Sequence, residues 1–305
     1  MTLLRLAHLS DPHLSTPLPP PSLPEWLSKR GMSRASWARG RKLLQRPEVL
    51  EAAVADIKAH APAHWLITGD VTNFSLPAEF AAAAQWFATL GEPGAVSVIP
   101  GNHDALVPVP FSQGWAHWLP WMQGDHPTTD AAALPYVRVR NGVAILGLSS
   151  AVATLPGLAS GTLGTAQRQW LATQLSRLKA QGLFRLVMLH HPPADGVVRA
   201  RKALTDRVAL RAVLREHGAE LVLHGHSRDA RFDPLPGPQG LIASFGLPSI
   251  SAIPNPLDEG ARWHLLEIAA TAGGWQLGVT VRTFKPTQQR FETAATYRLL
   301  MDRSA

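Results

Sequence analysis

The chain has 305 residues, 46% of them hydrophobic, and no cysteine, so it is long enough for a full buried core and excludes disulfides, thiolate metal sites and a cysteine nucleophile. A formal charge of +7 favours anionic partners: a phosphorylated substrate, an acidic lipid surface or nucleic acid. Any metal must be held by carboxylate, imidazole, amide or water, a donor set that suits manganese, iron or zinc.

From the start, residues 3–10 are an apolar, β-prone run that stops at Asp11-Pro12-His13. The run is short and turns at once into this loop, so it reads as a strand and not as a secretory signal. Residues 15–24 are too rich in proline for helix or central strand and form a stiff connector. Residues 25–45 read as helical and basic. Lys29, Arg30, Arg34, Arg39, Arg41, Lys42 and Arg46 lie there with no acid between Trp26 and Arg46. Gly31 and Gly40 predict two short helices. A helix over 47–60 suffices for the crossover to the next strand, so residues 15–46 are an insertion beside the Asp11 strand end. Tryptophans among arginines suit a substrate lid, a contact with an anionic membrane, or a hairpin packed on its own domain.

Residues 64–68 form a second apolar run, ending in Gly69-Asp70-Val71-Thr72-Asn73, and an Ala-rich helix follows over 76–90. Residues 95–100 run into Gly101-Asn102-His103-Asp104. The segment 105–133, with Trp115, Trp118 and Trp121, either walls a pocket or fills core. A hairpin is expected around Asn141-Gly142, a strong two-residue turn signal. The region 142–164 comes nearest to a membrane span, but Ser149, Ser150, Thr154, Pro156, Ser160 and Thr162 interrupt it. An amphipathic helix over 165–181 precedes the run 183–189, which ends in His190-His191-Pro192. A second basic stretch, Arg199 to Arg215, overlaps a helix over 206–217. The run 219–223 ends in His224-Gly225-His226-Ser227-Arg228, and residues 240–245, 263–269 and 275–284 are further strands. Helix–strand alternation early and mostly strands late predict two layered sheets with helices outside, in one domain covering 1–305.

Five apolar runs thus end in Asp, Asn or His. In α/β sheets ligands bind at the carboxyl ends of strands, so these residues converge as nitrogen and oxygen donors for metal. His103 followed by Asp104 reads as a proton donor with an orienting carboxylate.

With these residues quoted, the chain resembles the calcineurin-like metallophosphoesterases, whose pattern runs D-x-H, G-D-x-x-N, G-N-H-D, H-H-P and G-H-x-H. The blocks stand here in that order between Asp11 and Arg228. The resemblance implies an α/β fold, a four-layer α/β/β/α sandwich carrying a basic helical insertion after its first strand. It implies two divalent metal ions (manganese, iron or zinc), with Asp70 bridging, Asp11 and His13 on the first, and Asn102, His190 and His226 on the second. His103 is then a proton donor or transition-state stabiliser, with Asp104 holding its ring. The family's last His, a ligand of the first metal, is Arg228 here. Arginine cannot ligate a metal, so the first site is expected to be weakened or empty, with Arg228 binding a phosphate oxygen instead. His224 is a conceivable substitute ligand.

The expected activity is phosphoric ester hydrolysis by metal-activated water. The Asp-Pro-His and His-His-Pro blocks resemble most the bacterial branch with cyclic-nucleotide and glycerophosphodiester phosphodiesterases. Two alternatives stand beside it: a membrane-peripheral pyrophosphatase of nucleotide-linked lipids, similar to the UDP-2,3-diacylglucosamine hydrolases, and a metal-poor, non-catalytic binding protein on the same fold. The expected substrate is a nucleotide or lipid-linked phosphate ester, with peripheral contact to an anionic membrane. No separate DNA-binding motif points to nucleic acid. The expected location is the cytoplasm, including the inner face of the membrane.

Overall fold

In the computed structural model, which describes residues 3–126, 134–255 and 259–302, the apolar runs become the central strands of two sheets. In chain order, β1 (Leu4–Leu9) is followed by α1 (Leu23–Trp26), α2 (Lys29–Ser36), α3 (Lys42–Leu44) and α4 (Pro47–Ala59). Next come β2 (His64–Ile67), α5 (Pro77–Leu90), β3 (Val96–Val98) and α6 (Leu119–Met122). Then β4 (Tyr136–Arg140), β5 (Val143–Gly147), α7 (Gly164–Ala180), β6 (Phe184–Met188), α8 (Arg207–His217) and β7 (Leu221–His224) follow. The chain closes with β8 (Arg231–Phe232), β9 (Leu235–Pro236), β10 (Leu241–Gly246), β11 (Arg262–Ala270), β12 (Gly274–Lys285) and β13 (Arg290–Asp302).

The first sheet has the order β13-β12-β11-β1-β2-β3 and the second β4-β5-β6-β7-β10-β8, with β9 beside β10. β1, β2 and β3 run parallel, as do β5, β6, β7 and β10. Parallel pairs need crossover helices, which cover both outer faces and bury the strands completely. That is why β2, β5, β6 and β7 are buried along their whole length and read as mostly apolar runs. Ile145, Leu186 and Leu223 of the second sheet face the first within one core, while Leu146, Val187 and Val222 face α7 and α8 through Leu171, Leu175, Leu210 and Leu214. α4 and α5 close the other side with Ile57, Phe80 and Phe87. The expected mixed α/β sandwich of two sheets flanked by helices is the observed one.

The hairpin turn lies at Asn141 (φ +46°) and Gly142 (φ +82°), the pair of positive φ angles that a type I′ turn demands. The insertion breaks elsewhere than predicted. Ser22 and Ser28 cap α1 and α2, and Gly31 lies inside α2, where a Cβ would collide with the Trp26 carbonyl. Its small size lets the two helices touch. Trp118 and Trp121 pack on Phe87 in the core and do not wall a pocket. Residues 127–133 of that segment lie outside the described residues. Strands β8, β9 and β13 were not expected.

Candidate metal centre

Parallel strands deliver their carboxyl ends to one edge, so the loops after β1, β2, β3, β6 and β7 meet there. The backbone bends sharply to aim the side chains: Asp11, His13, Asp70, His226 and Arg228 all have φ between +43° and +68°. Such conformations cost about 1–3 kcal/mol each and persist where the surroundings enforce them. Gly101 is required by proximity, because a Cβ there would strike the Asp70 carboxylate.

Asp70 is the hub. Its Oδ2 lies 3.4 Å from His190 Nε2 and 3.9 Å from His13 Nε2, and its Oδ1 accepts the His103 backbone N–H at 2.7 Å. Asn102 Oδ1 is 3.3 Å from His190 Nε2. Asp70, His190 and His226 bring donor atoms within 4.8 Å of one another, and so do His13, Asp70 and His103. The Asp11 carboxylate is beside them but turned to Ser10 Oγ (2.5 Å) and the His226 backbone N–H (3.2 Å). All six predicted ligands are therefore gathered at one place and are buried.

The histidines are prepared for metal. His13 Nδ1 faces the Thr72 carbonyl at 3.2 Å, His190 Nδ1 the Thr68 carbonyl at 2.7 Å, and His226 Nε2 the Lys202 carbonyl at 3.0 Å. A carbonyl only accepts, so each of these ring nitrogens carries a proton, which leaves the opposite nitrogen as the one that could ligate a metal. This is the outer arrangement that metal-binding histidines use. The charges agree. Burial lifts the Asp11 carboxyl to about 7. Burial also opposes ionisation of Asp70, but the fields of His190, His103 and His13 outweigh it and hold that carboxyl well below its usual range. Burial alone would lower His190, yet the Asp70 and Asp11 carboxylates raise it to about 10. A buried pair of carboxylates that recruits a proton onto a histidine is a centre short of positive charge, and divalent cations fit it.

His103 differs from expectation in how it is held. Its Nδ1 donates to the Asn73 carbonyl at 2.9 Å. Asp104 does not touch the ring; it accepts the backbone N–H groups of Gly101 (2.8 Å), Thr72 (2.7 Å) and Val71 (3.2 Å). The turn after β3 folds the carboxylate back over these donors, so Asp104 clamps two loops and Asn73 orients the imidazole. His224 is not a substitute ligand: its ring packs on Gly246 and its Nδ1 meets the Gly225 carbonyl. His191 is likewise occupied, by Ser150 Oγ and the Ala159 carbonyl.

A cavity of about 360 Å³ opens above Asp11, His13, Asp70, Asn102, His103 and His226. Its walls come from both basic stretches, with Lys29 and Arg41 from the insertion and Arg201, Lys202 and Arg228 opposite. The insertion is fixed in place. Arg30 donates to the carbonyls of Phe74 (3.0 Å) and Ser75 (2.6 Å), and Arg46 N donates to the Ser251 carbonyl at 2.8 Å. A π-helical turn, Trp37–Arg41, brings Arg41 inward; such turns recur at functional sites. Its Nη1 lies 2.8 Å from His103 Nε2 and 3.4 Å from Nδ1, leaning across the N–C–N edge of the ring, and Nη2 donates to Ser33 Oγ. Burial lowers the Arg41 guanidinium to about 10, with Asp70 raising and Arg228 lowering it. Sequence reasoning missed Arg41 as a site residue, because nothing in its spacing separates it from the other six cations of the insertion.

A family model described as calcineurin-like phosphoesterase matches residues 4–228. No curated protein sequence matches the chain significantly. Among solved structures, the purple acid phosphatase PPD1 from yellow lupin (Lupinus luteus) seeds superposes with a TM-score of 0.63 at 12% identity, over 99% of this chain and 54% of the lupin chain. The chain thus spans about half of that protein. A dimetal phosphatase from Danio rerio superposes with a TM-score of 0.54 at 12% identity, over 95% of this chain and 98% of the other. At such identities the likeness concerns the fold.

Proposed function

This chain belongs to the calcineurin-like phosphoesterases, and from that premise we propose that it hydrolyses phosphate esters, diesters in particular, at the centre around Asp70. The observation that carries the reading is the cavity: a buried Asp/His/Asn floor beneath a ring of cations. Divalent cations held by Asp11, His13, Asp70, Asn102, His190 and His226 would supply the Lewis acidity that makes water nucleophilic at neutral pH. Arg41 and Arg228 line the same cavity, and the charge of one opposes that of the other, a repulsion that an anion relieves. We assign them to the phosphoryl oxygens, where a guanidinium makes two parallel hydrogen bonds. His103 is fixed through Nδ1 and turns Nε2 to Arg41 Nη1 at 2.8 Å, while burial and the Arg41 charge hold its imidazole down at about 4; we assign it, neutral, to stabilising the transition state by steadying Arg41 against the phosphoryl group.

The cavity is larger than one phosphoryl group needs, which leaves room for both ester arms of a diester. Hydrolysis of bis-p-nitrophenyl phosphate and of p-nitrophenyl phosphate by manganese-reconstituted protein tests this. The diester is expected to turn over at least about tenfold faster, a margin of roughly 1.4 kcal/mol in the barrier. A preference for the monoester would overturn the diester assignment and leave a phosphomonoesterase.

A further inference from the structure

Only the inward side of the insertion serves the chemistry above. Its outward side is apolar and basic together. Leu27 is 89% exposed and Leu23 79%, with Trp26 also exposed between them. Across the cavity mouth Leu155 is 74% exposed. The two sides are joined where Lys29 Nζ donates to Thr154 Oγ1 at 2.6 Å. Met32 and Leu158 are exposed and at the same time line the cavity, so apolar side chains share the mouth with the cations that ring the site. Side chains of this kind gain by leaving water, and soluble monomers seldom expose several of them together.

Charge says what covers this rim. Arg39 and Lys42 are exposed on the insertion. Glu25, the one acid among residues 22–46, is turned to Ser22 N and Arg30. None of the helices among the described residues is long and apolar enough to cross a membrane, so contact of this kind is with a surface.

We propose that the rim formed by the insertion and the Leu155 loop seats on an anionic lipid bilayer, with Leu23, Trp26, Leu27 and Leu155 at the headgroup–acyl boundary and Arg39 and Lys42 facing lipid phosphates. The cavity mouth then opens onto the bilayer. Its substrate is an amphiphilic phosphate ester whose apolar part stays at the rim while its phosphate reaches the ring of cations above Asp70. The substrate half of this rests on the phosphoesterase reading; the docking half does not.

Sedimentation of the full chain with phosphatidylcholine vesicles, with and without phosphatidylglycerol, tests the docking. Binding is expected to be roughly tenfold stronger with the anionic lipid and to weaken as salt rises. The double variants Leu27→Ser/Leu155→Ser and Arg39→Glu/Lys42→Glu are each expected to lose about tenfold in binding, while hydrolysis of a soluble diester is unchanged. Because the chain has no cysteine, Leu27→Cys carries one environment-sensitive dye, which is expected to brighten and shift to the blue on anionic vesicles. No sedimentation with either vesicle at low salt would overturn the docking, as would a solution dimer that shields the dye while vesicles leave it unchanged. Vesicle binding without hydrolysis of any soluble or lipid phosphate ester would support the docking and overturn the substrate half.

Discussion

Arg41 lies where two opposed demands meet. It is a buried cation leaning on the His103 ring, in the field of Asp70 and against a second arginine. Burial without a bound carboxylate is expensive for a guanidinium, and an arriving phosphate supplies the missing partner. Arg41→Ala is therefore expected to lower kcat/KM for a diester by roughly a hundredfold, with metal content unchanged. Arg41→Lys restores only part, since an ammonium lacks the planar fork. Steady-state kinetics beside metal analysis check this, and an alanine variant with unaltered kcat/KM would remove Arg41 from the site. The candidate metal ligands were readable because they follow closely on apolar runs. Asp104 was misread for a related reason: adjacency to His103 in sequence implied contact, whereas the turn carries its carboxylate to three backbone donors.

Elements that bury both faces were legible as continuous apolar stretches, and those that bury one face were legible by period. β13 was neither. It lies at the edge of the first sheet, pairs only with β12 and leaves most of its residues exposed, so burial did not select a clear alternation. β8 and β9 are two-residue strands fixed by pairing with β10, and no local pattern that short is specific. The insertion shows the same division. Its existence followed from a crossover longer than one helix requires. Its lining of the cavity depended on distant anchors, Arg30 on the Phe74 and Ser75 carbonyls and Ile253 N on the Leu44 carbonyl, which no spacing rule encodes.

The whole molecule carries a pH signature apart from its catalytic groups. Burial pushes His64 and His264 down to about 3, so both stay neutral in the fold, while in the unfolded chain they titrate near 6.5. The unfolded state thus binds more protons, and the stability that depends on their neutrality is lost as pH falls below about 6.5, by up to roughly 1.4 kcal/mol per pH unit for each group. Urea unfolding at a series of pH values should show this slope, and His264→Leu should reduce it by about one proton relative to the parent. An identical slope would mean that His264 is not held neutral. Function of the proposed kind depends on the strand-end residues binding metal and using it. The most direct test reconstitutes the parent and Asp70→Asn with manganese and measures metal content and diester hydrolysis on the same samples. Metal bound in the parent, with a loss of at least about a hundredfold in turnover and of bound metal in the variant, is the predicted result. A parent that binds no metal and hydrolyses neither diester nor monoester would contradict it and leave a non-catalytic binding protein on this fold.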